Sequence, residues 1–94
     1  MKVKGLKETV VKRNGSKKEY VWAVKQISEK EYKCIELDFT FNIESGITSK
    51  KRNGEQIILN QPFKSGSRQI TYTLVTEKDN EVNEENNANK EKEV

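Results

Sequence analysis

The chain contains no histidine. That excludes Ser-His and Cys-His nucleophile pairs and every imidazole metal ligand. One cysteine, Cys34, leaves no partner for an intrachain disulfide and fits a reducing compartment. No apolar run approaches the roughly 18 residues of a membrane-spanning helix. The opening MKVKGLKETVVKRNG is charged every few residues, where a secretory signal would be apolar. These absences point to a cytoplasmic protein with no membrane partner. Lys outnumbers Arg 15 to 3 and Asn occurs nine times. That bias fits a low-GC bacterium or its phage, and for a phage the compartment is the host cytoplasm.

Chemistry-bearing patterns are equally scarce. No glycine-rich phosphate loop occurs, and the stretch after Pro62 holds a single glycine, Gly66. Glu36 and Asp38 have the spacing to share a strand face beside Cys34, but no third ligand for Mg²⁺ accompanies them. Glu31-Tyr32-Lys33 has an acid-x-Lys spacing without an upstream Asp. The expectation is a protein that is not an enzyme, with no catalytic residues, no cofactor and no metal site.

What the chain does have is charge, unevenly placed. Residues 1–76 carry 15 Lys/Arg against 8 Asp/Glu, a net of +7. Residues 77–94 carry 3 Lys against 7 Asp/Glu, a net of −4, which together give the overall +3. After Thr76 only Val82, Ala88 and Val94 are apolar. Such a segment cannot bury enough surface to offset its ordering entropy. The expected organisation is therefore a basic antiparallel β domain, 1–76, followed by a disordered acidic tail, 77–94. A basic body with an acidic extension is a layout suited to binding a polyanion.

The body reads as strands. Lys2–Lys12, Lys18–Ser28, Tyr32–Ile43, Gly46–Lys51, Glu55–Asn60 and Ser67–Glu77 are the six candidates. The clearest is Tyr32–Ile43, where Ile35, Leu37, Phe39, Phe41 and Ile43 alternate with polar or small residues. Asn14-Gly15 and Asn53-Gly54 are type I′ hairpin signals. Pro62 and Lys64-Ser65-Gly66-Ser67 read as a flexible loop. The predicted fold is all-β, a small antiparallel barrel or sandwich of about five to six strands, with oligonucleotide-binding-like and SH3-like barrels among the options.

The tetrapeptide Lys-Arg-Asn-Gly occurs twice, as residues 12–15 and 51–54. Lys12, Arg13, Lys17 and Lys18 crowd the first turn; Lys50, Lys51 and Arg52 crowd the second; Lys64 and Arg68 flank the loop. Basic turns can hold phosphates without reading sequence, and the dominance of Lys favours neutralisation over base reading. The plainer reading is that charged turns keep a small sheet soluble and protect its edges. Tyr20 and Trp22 share a face just after the first turn. They serve either as a stacking platform for unpaired bases or as core packed on Phe39 and Phe41. Nucleic acid, with single-stranded DNA or RNA favoured, is the expected partner. The alternatives are a protein partner engaged through the acidic tail or an edge strand, as in a phage-encoded inhibitor or adaptor of a host protein, and a structural assembly component. Homo-oligomerisation would extend the basic surface.

Two resemblances accompany this reading. A basic β body with an acidic tail is similar in layout to single-strand-binding proteins, although this chain ends Glu91-Lys92-Glu93-Val94 and not in an apolar tip. Ser49-Lys50-Lys51, Asn53-Gly54-Glu55, Pro62-Phe63, Ser65 and Ser67-Arg68 resemble a run in the SpoVG family of small nucleic-acid-binding regulators. That likeness is confined to residues 49–68. The family continues into a helix, whereas Ile70-Thr71-Tyr72-Thr73-Leu74 here reads as a strand.

Overall fold

Alternating apolar residues and short turns dictate sheets throughout residues 2–76, which a computed structural model describes. Nine strands form: β1 (Val3–Val11), β2 (Lys17–Trp22), β3 (Val24–Gln26), β4 (Glu31–Cys34), β5 (Phe39–Asn42), β6 (Ile47–Arg52), β7 (Glu55–Ile58), β8 (Phe63–Ser65) and β9 (Arg68–Thr76). They make two antiparallel sheets, ordered β2-β1-β9-β8 and β3-β4-β5-β6-β7. The sheets stay open and do not close into a barrel, so the all-β expectation holds and its barrel form does not. Among the described residues no helix is long and apolar enough to cross a membrane. The tail, 77–94, lies outside the described residues.

Three expectations about strands are corrected. Lys18–Ser28 is not one strand: it breaks at Ala23, and its two halves join different sheets as β2 and β3. Tyr32–Ile43 is also not continuous, because Ile35–Asp38 forms a turn. Asp38 takes a left-handed φ of 58°, and its N–H donates to the Cys34 carbonyl at 2.8 Å. Cys34 then pairs with Phe39 and Tyr32 with Phe41, so four buried side chains meet across one hairpin. Ile35, assigned to the buried face by period two, is 53% exposed. Finally, the stretch after Pro62 is not a loose loop, because Phe63–Ser65 pairs with Ile70–Arg68 as β8.

The two Asn-Gly turns also differ. Asn53 and Gly54 have φ of 53° and 81° and join directly paired residues, as type I′ requires. At the first turn only Gly15 is left-handed, and its N–H donates to the Lys12 carbonyl. That is a type I turn closed by a glycine bulge. Asn14 contributes through its side chain, whose Oδ1 accepts from the Ser16 N–H at 2.9 Å.

The core lies between the sheets. Leu6 and Tyr72 from the first sheet, and Tyr32, Cys34, Phe39, Phe41 and Ile57 from the second, are buried together. Complete burial of a side chain such as Leu6 or Phe41 contributes about 1.5–3 kcal/mol. Val3 joins this core because the pairing of β1 with β9 slips between Val3 and Gly5. The extra residue, Lys4, reverses the alternation, so Val3 and Leu6 face the same way. An irregular register in β6–β7 is held by side chains: buried Thr48 Oγ1 donates to the Ile57 carbonyl at 2.7 Å, and Gln56 Nε2 donates to the Thr48 carbonyl at 2.8 Å. The Asn60 N–H donates to the Tyr72 carbonyl at 2.7 Å, tying the end of the second sheet to β9.

Gly5 is enclosed. A Cβ there would sit 3.1 Å from Val21 Cγ1 and 3.2 Å from the Trp22 carbonyl oxygen, which is backbone and cannot swing aside. Gly5→Ala is expected to destabilise the fold by about 1–3 kcal/mol, read as a lower urea midpoint with an unchanged slope.

Candidate nucleic-acid interface

The inner face of the first sheet changes character along its strands. Register sets the rows: Leu6 beside Trp22 and Leu74, then Glu8 beside Tyr20 and Tyr72, then Val10 beside Lys18 and Ile70. The first row packs against the core. Beyond it the face opens into a cleft of about 650 Å³, lined by Tyr20 and Trp22, by Lys12 and Lys18, and by the β8–β9 turn with Arg68.

Glu8 organises the boundary row. Its Oε1 accepts from the Trp22 indole N–H at 2.9 Å, and its Oε2 accepts from the Tyr72 hydroxyl at 3.5 Å. A partly buried indole needs an acceptor, and a carboxylate supplies a strong one. The pair Tyr20–Trp22 then stacks, with ring centroids 6.0 Å apart and planes at 28°. Trp22 is half-buried against the core, whereas Tyr20 is 42% exposed. The two rings thus differ in burial: Trp22 packs toward the core and Tyr20 presents surface to solvent. Tyr72 is buried against Phe39 and Phe63, at 5.3 and 5.8 Å between centroids.

One further groove adjoins the cleft, and a third meets that groove at Lys64. One lies along Arg13 and Lys64 and shares Lys12 and Arg68 with the cleft. The other lies between β8 and the second basic turn, lined by Arg52, Phe63 and again Lys64. The two Lys-Arg-Asn-Gly turns thus converge on opposite sides of the β8–β9 hairpin, with Lys64 between them. Three predicted residues fall outside the grooves. Lys17 points from the opposite face and approaches Glu19 at 3.8 Å. Lys50 is drawn inward, its Nζ 5.5 Å from the centre of the Phe39 ring. Lys51 is exposed on the other side of β6.

Two carboxylates line the grooves, Glu8 in the cleft and Glu55 beside the second basic turn. Lys30–Glu44 and Lys33–Asp38 pair at 2.8 and 3.3 Å, away from the cleft. Among the described residues none of Lys12, Arg13, Lys18, Arg52, Lys64 and Arg68 is ion-paired. Exposed pairs such as Lys30–Glu44 add little stability. The site residue that sequence reasoning missed is Glu8. Its only signal was that it sits two positions from Leu6 and Val10, on what would be an apolar face.

The buried Cys34 thiol is pushed up from its ordinary value, chiefly by burial. Among the described residues no group of three or more His, Cys, Asp or Glu side chains is gathered that could hold a metal ion. The first sheet ends at β2 and β8, the second at β3 and β7. Lys17, Lys18 and Glu19 charge the β2 edge, which discourages casual strand pairing.

Fold and site together define a class: an open two-sheet β protein with an aromatic cleft lined by cations. No protein-family model matches the chain, and neither a curated protein nor a solved structure matches it. The SpoVG-like run accordingly ends where Arg68–Thr76 continues as β9.

The Tyr72 hydroxyl is raised above its ordinary value of 10.0, first by burial and then by the Glu8 carboxylate. The unfolded chain therefore releases this proton first as pH rises. The resulting stabilisation is complete below about pH 10 and is lost above it. Denaturation across pH 8–11 is expected to show a fall in stability above pH 10 that is shallower in Tyr72→Phe than in the parent chain.

Proposed function

We propose that this protein binds single-stranded nucleic acid along the cleft and its adjoining grooves. The observation that carries this reading is the exposed Tyr20 ring, stacked on Trp22 inside a cleft ringed by Lys12, Lys18 and Arg68. An aromatic face in a concave basic site suits an unpaired base, since a base within a duplex has no free face to offer. The backbone would run from Lys18 past Lys12 and Arg68 to Lys64 and Arg52, a route along three contiguous grooves. Phosphate contacts fix position along such a route, and stacking adds about 1–3 kcal/mol per base with little regard to sequence.

Salt titration tests this. With six cations engaged, the logarithm of affinity is expected to fall against the logarithm of salt with a slope of about −4 for a single strand. Lys18→Ala and Arg68→Ala should each reduce that slope by roughly 0.7. Lys17→Ala, which alters a cation outside the grooves, should leave it unchanged. Tyr20→Ala should weaken binding about tenfold without changing the slope. No binding to labelled oligonucleotides at low ionic strength would falsify the reading.

A further inference from the structure

We infer that Glu8 reads the base held on Tyr20 and selects guanine over thymine or uracil. This rests on the cleft binding nucleic acid as proposed above. A carboxylate among phosphate-binding cations works against anion binding, so its place in the cleft calls for a separate account. Its hydrogen bond to Trp22 explains part of it, because the indole needs an acceptor. It does not use the whole group. A carboxylate has about four acceptor sites over two oxygens. Trp22 takes one on Oε1 and Tyr72 one on Oε2. Each oxygen keeps further capacity, and Glu8 itself lines the cleft.

Position favours base reading over phosphate binding. Glu8 is directly opposite Tyr20 in the β1–β2 ladder. Neighbouring strands are about 4.8 Å apart, so the edge of a base lying on the Tyr20 ring comes within reach of the carboxylate. Lys18 is two residues back on the same strand face, roughly 7 Å away, where the phosphate of that nucleotide would be held. The two donors that fix Glu8 also fix the orientation of its free acceptor sites.

The chemistry then separates the bases. Guanine presents adjacent N1–H and N2–H donors, which match the two oxygens of one carboxylate. Cytosine and adenine each offer a single amino group beside a ring acceptor. Thymine and uracil offer one N3–H between two carbonyl oxygens, which meet the carboxylate with like partial charge. Unstacked bases in single strands expose these edges for reading.

The test uses the full chain at low ionic strength and measures fluorescence anisotropy with three labelled oligomers of equal length: oligothymidine, alternating thymidine and guanosine, and alternating thymidine and inosine. The guanosine oligomer is expected to bind about tenfold more tightly than oligothymidine. Inosine, which lacks the N2 amino group, should lose most of that preference. Glu8→Gln, which keeps an acceptor for Trp22, should bring the guanosine and thymidine oligomers to within about twofold, with thermal melting and Trp22 emission reporting on its fold. Equal affinities in the parent chain overturn the inference while leaving the proposed binding intact. Full retention of the preference by inosine, or by folded Glu8→Gln, also overturns it. Absence of binding to all three oligomers removes the proposed function and this inference with it.

Discussion

The hydrogen bond from the Trp22 indole to Glu8 is the contact around which the cleft end of the first sheet is arranged. It joins β1 to β2 through side chains, and the Tyr72 hydroxyl brings β9 to the same carboxylate. Three strands are thereby tied at one row. On one side of that row the face is apolar and covered by the second sheet. On the other it opens toward Lys12, Lys18 and Arg68. A carboxylate suits this boundary because it satisfies the polar atoms of two aromatic side chains that otherwise belong to the core.

A body of this size has few apolar residues to distribute. The structure concentrates them at the end of the sheet where Val3, Leu6, Leu74 and the Phe39/Phe41/Tyr32 cluster meet. Two local irregularities make that possible. The bulge at Lys4 turns Val3 inward, and the Thr48 and Gln56 side chains replace ladder bonds where β6 and β7 slip. The remaining half of the inner face is then free to carry Tyr20 and the cations. The ion pairs Lys30–Glu44 and Lys33–Asp38 lie elsewhere, and the carboxylates that line the grooves are Glu8 and Glu55.

Sequence pattern located most strand material but not its division. Period two continued smoothly through Ile35 and Leu37, so nothing in the alternation marked the turn that places Asp38 at positive φ. The break at Ala23 was similarly invisible, since both halves of Lys18–Ser28 are rich in strand-forming residues. That break matters most, because it sends β2 and β3 into different sheets. For the site, the crowding of Lys and Arg at two turns was readable directly. Which of them face a groove was not. Lys17 and Lys18 are adjacent and point to opposite faces, and Lys50 turns toward the Phe39 ring. Glu8 escaped notice because a single acidic residue in a strand ordinarily signals a solvated face.

Composition and periodicity alone determined that this chain is all-β, basic in its first 76 residues and acidic after them, and that its positive charge gathers at two Lys-Arg-Asn-Gly turns. These are local properties: charge is additive along the chain, and alternation is read within one strand. Tertiary structure decided that the two turns converge about the β8–β9 hairpin, that Tyr20 is exposed while Trp22 is held, and that Glu8 stands among the cations. These depend on strand order and register between segments as distant as Glu8 and Tyr72. Pairing across such separations is set by how the whole apolar set packs between the sheets, which no local window contains.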